Sequence, residues 1–141
     1  MVTVDKSIFR KYDIRGLAGG DTPQLTPDVA EAVGKALGTY LPEKHGTERV
    51  FVGSDNRVTS PALVEAMING LTSTGMDVTN IGEVLTPTVY FAAASYGENG
   101  AGVMITGSHL DTRYNGIKMA YGRLALSGEQ IQDLLAIIES G

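Results

Sequence analysis

Apolar residues recur at helical spacing in several stretches of the chain, each opened by a recognisable start signal. After Thr26-Pro27 the stripe is Val29, Val33, Leu37 and Tyr40 or Leu41; after Ser60-Pro61 it is Val64, Met67, Ile68 and Leu71, stopping at Gly75. Thr86-Pro87 repeats the pair. In each pair the hydroxyl can accept a bond from an unpaired N–H, and proline at the first helical position gives up a donor that had no partner. A fourth helix is predicted to open at Ser127, with Gln130 as its capping-box partner and a stripe at Ile131, Leu134, Leu135 and Ile138.

Between the helices lie short apolar runs of strand length at residues 49–53, 77–81 and 101–106. Strand and helix alternating in this way force a parallel sheet with helical crossovers. A further run at residues 117–120 follows too soon for a helical crossover and is expected to form a hairpin or loop. An N-terminal strand is expected at residues 9–14. The predicted fold class is α/β, a three-layer α/β/α domain with a mixed, mostly parallel sheet. No repeat, low-complexity tract or internal boundary divides residues 1–141, so one domain is expected.

Composition narrows the function. Eleven Lys and Arg against sixteen Asp and Glu leave a net charge of −5, the wrong sign for a protein that binds nucleic acid by neutralising phosphates. No cysteine is present, which excludes disulfides and thiolate metal sites. The first nine residues alternate polar and apolar, and the longest strongly apolar run, residues 134–138, is far too short to span a membrane. A cytoplasmic location is the expectation. Glycine is abundant, 18 of 141 residues against a usual share of about 7%, which suggests tight turns and close backbone approaches.

In an open α/β sheet, ligands bind beyond the carboxyl ends of the strands. The residues there are Gly53-Ser54-Asp55-Asn56-Arg57, Gly82-Glu83 and Thr106-Gly107-Ser108-His109. The last segment combines a permissive glycine, a hydroxyl, an imidazole and turn N–H groups able to hold an anion. Lys118 lies between Ile117 and Met119, and strand alternation puts it on the opposite face from both. A serine hydrolase is rejected. The nucleophile elbow needs glycine two positions either side of serine, where this chain has Thr106 and Leu110, and adjacent side chains on extended backbone point apart. Taken alone, residues 106–109 read as a surface turn.

Five separated blocks change that reading: residues 9–16 (Phe-Arg-Lys-Tyr-Asp-Ile-Arg-Gly), 53–57 (Gly-Ser-Asp-Asn-Arg), 85–88 (Leu-Thr-Pro-Thr), 102–109 (Gly-Val-Met-Ile-Thr-Gly-Ser-His) and 114–118 (Tyr-Asn-Gly-Ile-Lys). In order and spacing they resemble the first domain of the alpha-D-phosphohexomutases. The resemblance implies that Ser108 is a phosphoserine, exchanging its phosphoryl group with the 1 and 6 positions of a hexose phosphate through a bisphosphorylated sugar. It implies Arg15 and Lys118 as cations at the site, with Lys118 and His109 as candidates for moving protons. Tyr12, Arg15, Thr106, Gly107, Asn115 and Lys118 are the implied substrate- or phosphate-binding residues. As an alternative to a catalytic role, Arg15 and Lys118 would be members of a surface ion pair.

The resemblance also implies Mg2+ bound through Ser108 or its phosphate. The remaining ligands are expected on a second domain, since the chain has no Asp-x-Asp-x-Asp cluster. The implied partners are hexose phosphates and the remaining mutase domains, with self-association possible for an isolated domain. The end at Ser140-Gly141 fits a cut at a domain linker.

Two departures stand out. Leu110-Asp111-Thr112 replace the family's asparagine and proline, which should loosen the turn and put a negative charge beside Ser108. Ser54 stands where arginine is common. Asp55 and Arg57 remain, and are expected to brace the loop. These departures, together with the missing mutase domains, motivate an alternative in which the chain is a non-catalytic module that binds a sugar phosphate or pairs with a mutase chain.

Overall fold

A computed structural model describes residues 1–141. Its elements run in the order β1 (Ile14–Leu17), α1 (Pro27–His45), β2 (Arg49–Ser54), α2 (Ser60–Ser73), β3 (Asp77–Glu83), α3 (Thr86–Tyr96), β4 (Gly100–Ile105), β5 (Tyr114–Tyr121), β6 (Leu124–Ala125) and α4 (Glu129–Ser140). The sheet order is β1-β5-β4-β2-β3, with β6 also paired to β5. β2 pairs with β3 and β4 in parallel, whereas β5 is antiparallel to β4, β1 and β6. β5 alone therefore runs against the other strands.

Strand alternation sorts side chains to two faces. Val50, Val52, Ala101, Val103, Ile105, Ile117 and Met119 join the large apolar cluster beneath α1, α2 and α4. Phe51, Gly53, Gly100, Gly102 and Lys118 fall on the other face, covered by α3; Val89 and Ala93 of α3 sit directly over Gly102 and Gly100. The sheet thus has a thick aliphatic layer on one side and a thin, glycine-floored layer on the other.

Three sequence expectations need correction at element ends. Thr26 does cap α1, accepting from the Val29 N–H at 3.3 Å, but α2 and α3 have no side-chain cap; the Ser60 hydroxyl is used elsewhere. α4 begins at Glu129, two residues after Ser127, although Gln130 Oε1 does reach back to the Ser127 N–H at 3.2 Å. The N-terminal strand is residues 14–17 and not 9–14: Phe9 and Ile14 form a single antiparallel bridge, and the Arg10 N–H donates to the Asp13 carbonyl, so this segment is a tight turn.

α1 and α2 cross so closely that a Cβ on Gly34 would overlap the Met67 carbonyl oxygen, and one on Gly70 that of Glu31. Some of the excess glycine therefore serves helix packing. No helix is long and apolar enough to cross a membrane.

Candidate functional site

β2 and β4 are in register up to Ser54 opposite Ile105, so the segments leaving their carboxyl ends run side by side. The Asp55 N–H donates to the Ile105 carbonyl at 2.9 Å, extending the ladder by one step. The Asp55 carboxylate then collects donors from three segments: Ser60 Oγ at 2.6 Å, Thr106 Oγ1 at 2.9 Å, and the Gly107 N–H, the Arg57 N–H and Arg57 Nε, each at 3.1 Å. Burial pushes this carboxyl up, but the hydrogen bonds from Ser60, Arg57, Thr106 and Gly107 outweigh it and hold the carboxyl below the ordinary aspartate value.

Arg57, whose side chain is only 12% exposed, continues the network. Its Nη1 donates to the Asp111 carbonyl and, at 3.1 Å, to that of Tyr114; Nη2 donates to the carbonyls of Ser108 at 3.1 Å and Leu110 at 2.7 Å. A Cβ at position 107 would overlap the guanidinium, so glycine is required beneath it. The expected brace is present, and it acts on backbone carbonyls along most of the loop.

Ser108 is the only non-glycine residue with positive φ, +55°. That conformation costs about 1–2 kcal/mol for an L-residue. It is maintained by the Ser108 N–H donating to Thr106 Oγ1 at 3.0 Å and by Arg57 holding the Ser108 carbonyl. The half-buried Ser108 has no hydrogen bond from its hydroxyl to the rest of the chain. Its neighbour His109 is exposed.

The loop after Ser108 differs from expectation. Arg57 ties it down without proline, and the Asp111 carboxylate accepts from the Arg113 N–H at 2.9 Å, Nε at 3.2 Å and Nη2 at 2.9 Å. These Arg113 bonds hold the Asp111 carboxyl below its ordinary value. The negative charge expected beside Ser108 is present and is matched by a cation two residues away.

Arg15 and Lys118 meet on the α3 face of the sheet at Asp13, a residue that sequence reasoning did not single out. Asp13 is 6% exposed, and its Oδ2 accepts from Arg15 Nη2 at 2.7 Å and Lys118 Nζ at 3.3 Å. The β1–β5 register, Ile14 opposite Ile117, puts Asp13 across from Lys118 when extended by one step. Arg15 Nε is buried without a partner. Both cations are thus paired, to one buried carboxylate that they share, and each side chain keeps about a quarter of its surface exposed, 25% and 24%. Tyr90 of α3 closes the group; burial, and then the Asp13 charge, raises its phenol above the ordinary value.

The other predicted binding residues divide. Tyr12 is 66% exposed, with Lys11 Nζ 5.4 Å from its ring centre. Thr106, 6% exposed, supports the loop from behind, as the buried Gly107 does. Asn115 has no exposed surface: its Nδ2 donates to Thr59 Oγ1 at 2.9 Å and Ser60 Oγ at 3.0 Å, and its Oδ1 accepts from the Gly116 N–H at 2.9 Å. Asn115 braces the loop in this arrangement, with the Nδ2 and Oδ1 atoms of its side chain both engaged within the fold.

Residues 6–141 match the family described as phosphoglucomutase/phosphomannomutase, alpha/beta/alpha domain I. The chain belongs to this mutase family, as its domain I. It is 46% identical over 139 residues to a phosphoglucomutase of Neisseria gonorrhoeae, covering 99% of this chain and 29% of that protein. It is 44% identical over 137 residues to a phosphomannomutase/phosphoglucomutase of Pseudomonas aeruginosa, covering 97% of this chain and 28% of the relative. The crystal structure of a phosphoglucomutase/phosphomannomutase family protein from Burkholderia thailandensis superposes with a TM-score of 0.89 at 39% identity, over 98% of this chain and 31% of that one. The chain therefore spans under a third of the length of these relatives.

As a domain I of this family, the chain carries an incomplete site. No group of three or more His, Cys, Asp or Glu side chains is arranged to hold a metal ion. Near the loop, Asp55 is saturated and Asp111 is occupied by Arg113, which leaves the Ser108 hydroxyl without a free carboxylate beside it. By itself the domain does not fit Mg2+, which relies on carboxylates and octahedral oxygen ligation. An open cavity of about 570 Å³, lined in part by His45, Glu98, Tyr121 and Arg123, is at the opposite end of the sheet from Ser108.

Proposed function

We propose that residues 1–141 form the single phosphoserine-bearing domain of a cytoplasmic hexose-phosphate mutase, with Ser108 as the residue that gives and takes the phosphoryl group. One observation carries the reading: Ser108 alone among non-glycine residues adopts a left-handed conformation, stabilised by two dedicated hydrogen bonds, while its hydroxyl is left free. A strained, over-determined residue with an unengaged reactive atom is how a fold prepares a functional group.

In the forward step the bond from Ser108 Oγ to phosphorus breaks as a sugar hydroxyl oxygen bonds to the phosphorus; the sugar hydroxyl proton passes to a base, and the freed Ser108 Oγ takes up a proton to become the serine hydroxyl. His109, exposed next to Ser108, is the proposed acceptor. The reverse step returns the sugar's other phosphoryl group to Ser108. Arg15 and Lys118 supply positive charge for the phosphoryl oxygens, on which charge is spread in the transition state. Asp13 holds each through a single hydrogen bond, which leaves further donors on both, and Tyr12 offers an exposed aromatic surface to the sugar.

The remaining mutase domains are the partners that would close over this face and add metal ligands for Mg2+ beside Ser108. The exposed Phe91 and Leu85 of the α3 side, 74% and 76% accessible, fit a surface that such a domain or a second copy covers. The alternative of a non-catalytic module keeps the support of the absent domains, while the Arg113 pairing of Asp111 weakens its argument from a charge beside Ser108. Ser108→Ala in the full-length mutase carrying this domain should abolish turnover with the fold intact, and near-normal turnover would overturn the proposal.

A further inference from the structure

The carbonyls that Arg57 gathers determine where the opposite ends of those peptide groups point. In a trans peptide the N–H lies antiparallel to the preceding C=O, and the chain has no cis bond. With the carbonyls of Ser108, Leu110 and Asp111 turned onto the guanidinium, the N–H groups of His109, Asp111 and Thr112 are turned away from it. None of these three has an acceptor within the chain, whereas the neighbouring N–H groups of Ser108, Leu110, Arg113 and Tyr114 all do. His109, Asp111 and Thr112 are exposed, so these N–H groups stand open to an incoming anion, and N–H groups gathered around a left-handed residue form a concavity that binds anions.

We infer that Arg57 is a positioning residue, which turns the N–H groups of residues 109, 111 and 112 into a cradle for the tetrahedral phosphoryl group of the Ser108 loop. The guanidinium itself never touches the phosphate, since its donors are spent on carbonyls. The inference rests on the phosphoserine reading for the identity of the anion; the cradle itself rests only on the hydrogen-bond pattern. Lysine at position 57 keeps the charge but has no planar fork to hold several carbonyls at once.

The test uses the 141-residue chain labelled with 15N, with phosphoserine inserted at position 108 during translation. Compared with the unmodified chain, the amide resonances of His109, Asp111 and Thr112 should move downfield together. The second phosphate pKa, followed by phosphorus NMR, should fall below the free value of about 6. In Arg57→Lys, checked for folding through the methyl signals of Leu37 and Met67, both effects should vanish and the pKa return to about 6. The Asp111–Arg113 pair is present in both proteins and cancels in the comparison.

Inorganic phosphate added to the unmodified chain separates sources: equal amide shifts at millimolar phosphate would show that the cradle takes free anion, which overturns an assignment to the serine-borne group. Unmoved amides in the phosphorylated wild-type chain, or unchanged shifts in folded Arg57→Lys, would also overturn it. The phosphoserine reading fails separately, if the active full-length mutase carries no phosphoryl group on Ser108.

Discussion

Beneath α1 and α2 the sheet is covered by aliphatic side chains such as Leu37, Leu41, Met67 and Leu71, each at most 1% exposed. At the carboxyl ends of β2 and β4 the interior is instead polar: Asp55, Arg57, Ser60, Thr106 and Asn115 bind one another and the loop backbone. The first layer is held by non-directional burial, which tolerates changes that conserve volume. The second is held by directional bonds, where removing one partner leaves another unsatisfied. Stability should therefore depend mostly on the first and loop geometry mostly on the second, and each substitution below is a way of pulling the two apart.

Leu37→Ala gives the largest expected loss of stability, about 2–5 kcal/mol, because it empties a site in a close-packed core. Urea unfolding should show it, while the amide signals of residues 107–112 in the surviving folded fraction stay where they are. Asp55→Ala should cost less, about 1–3 kcal/mol for the donors it leaves unsatisfied. It should nonetheless displace every amide signal from Gly107 to Thr112.

Acid titration refines the second case. The Asp55 carboxyl is depressed in the folded state, so its contribution to stability is complete above its ordinary value of 3.8 and is lost as pH falls through the lower folded value. The urea midpoint of the wild type should therefore fall more steeply than that of Asp55→Asn below about pH 4. Asp111→Ala is the smallest: the pair with Arg113 is exposed, so the urea midpoint should not move resolvably.

The same contrast explains what could be read from the sequence. α1, α2 and the continuously buried β4 follow from apolar spacing, because burial leaves a periodic trace. β1 begins only at Ile14, later than expected, because the Arg10–Asp13 backbone bond folds residues 9–14 into a turn. β5 extends back to Tyr114 because Asn115 and Gly116, which resemble turn residues, pair with β1. The Ser60 hydroxyl, spaced as a cap, is drawn instead to Asp55.

At the site, the resemblance supplied Ser108, Arg15 and Lys118, and the Asp55–Arg57 brace was also anticipated. The extent of that brace was not legible, since its acceptors are backbone carbonyls and any residue type provides one. Asp13 could have been found from its place two residues before Arg15, on the same side of an extended segment. Asn115, although within a matching block, is buried by a network that only the assembled fold reveals.

The central claim is that Ser108 carries a transferable phosphoryl group. Peptide mass mapping of the purified full-length mutase, before and after incubation with a hexose monophosphate, tests it most directly. The account predicts one phosphoryl group on the peptide containing Ser108, lost from the protein as bisphosphorylated sugar appears. An actively turning-over enzyme whose Ser108 peptide is never phosphorylated would contradict it.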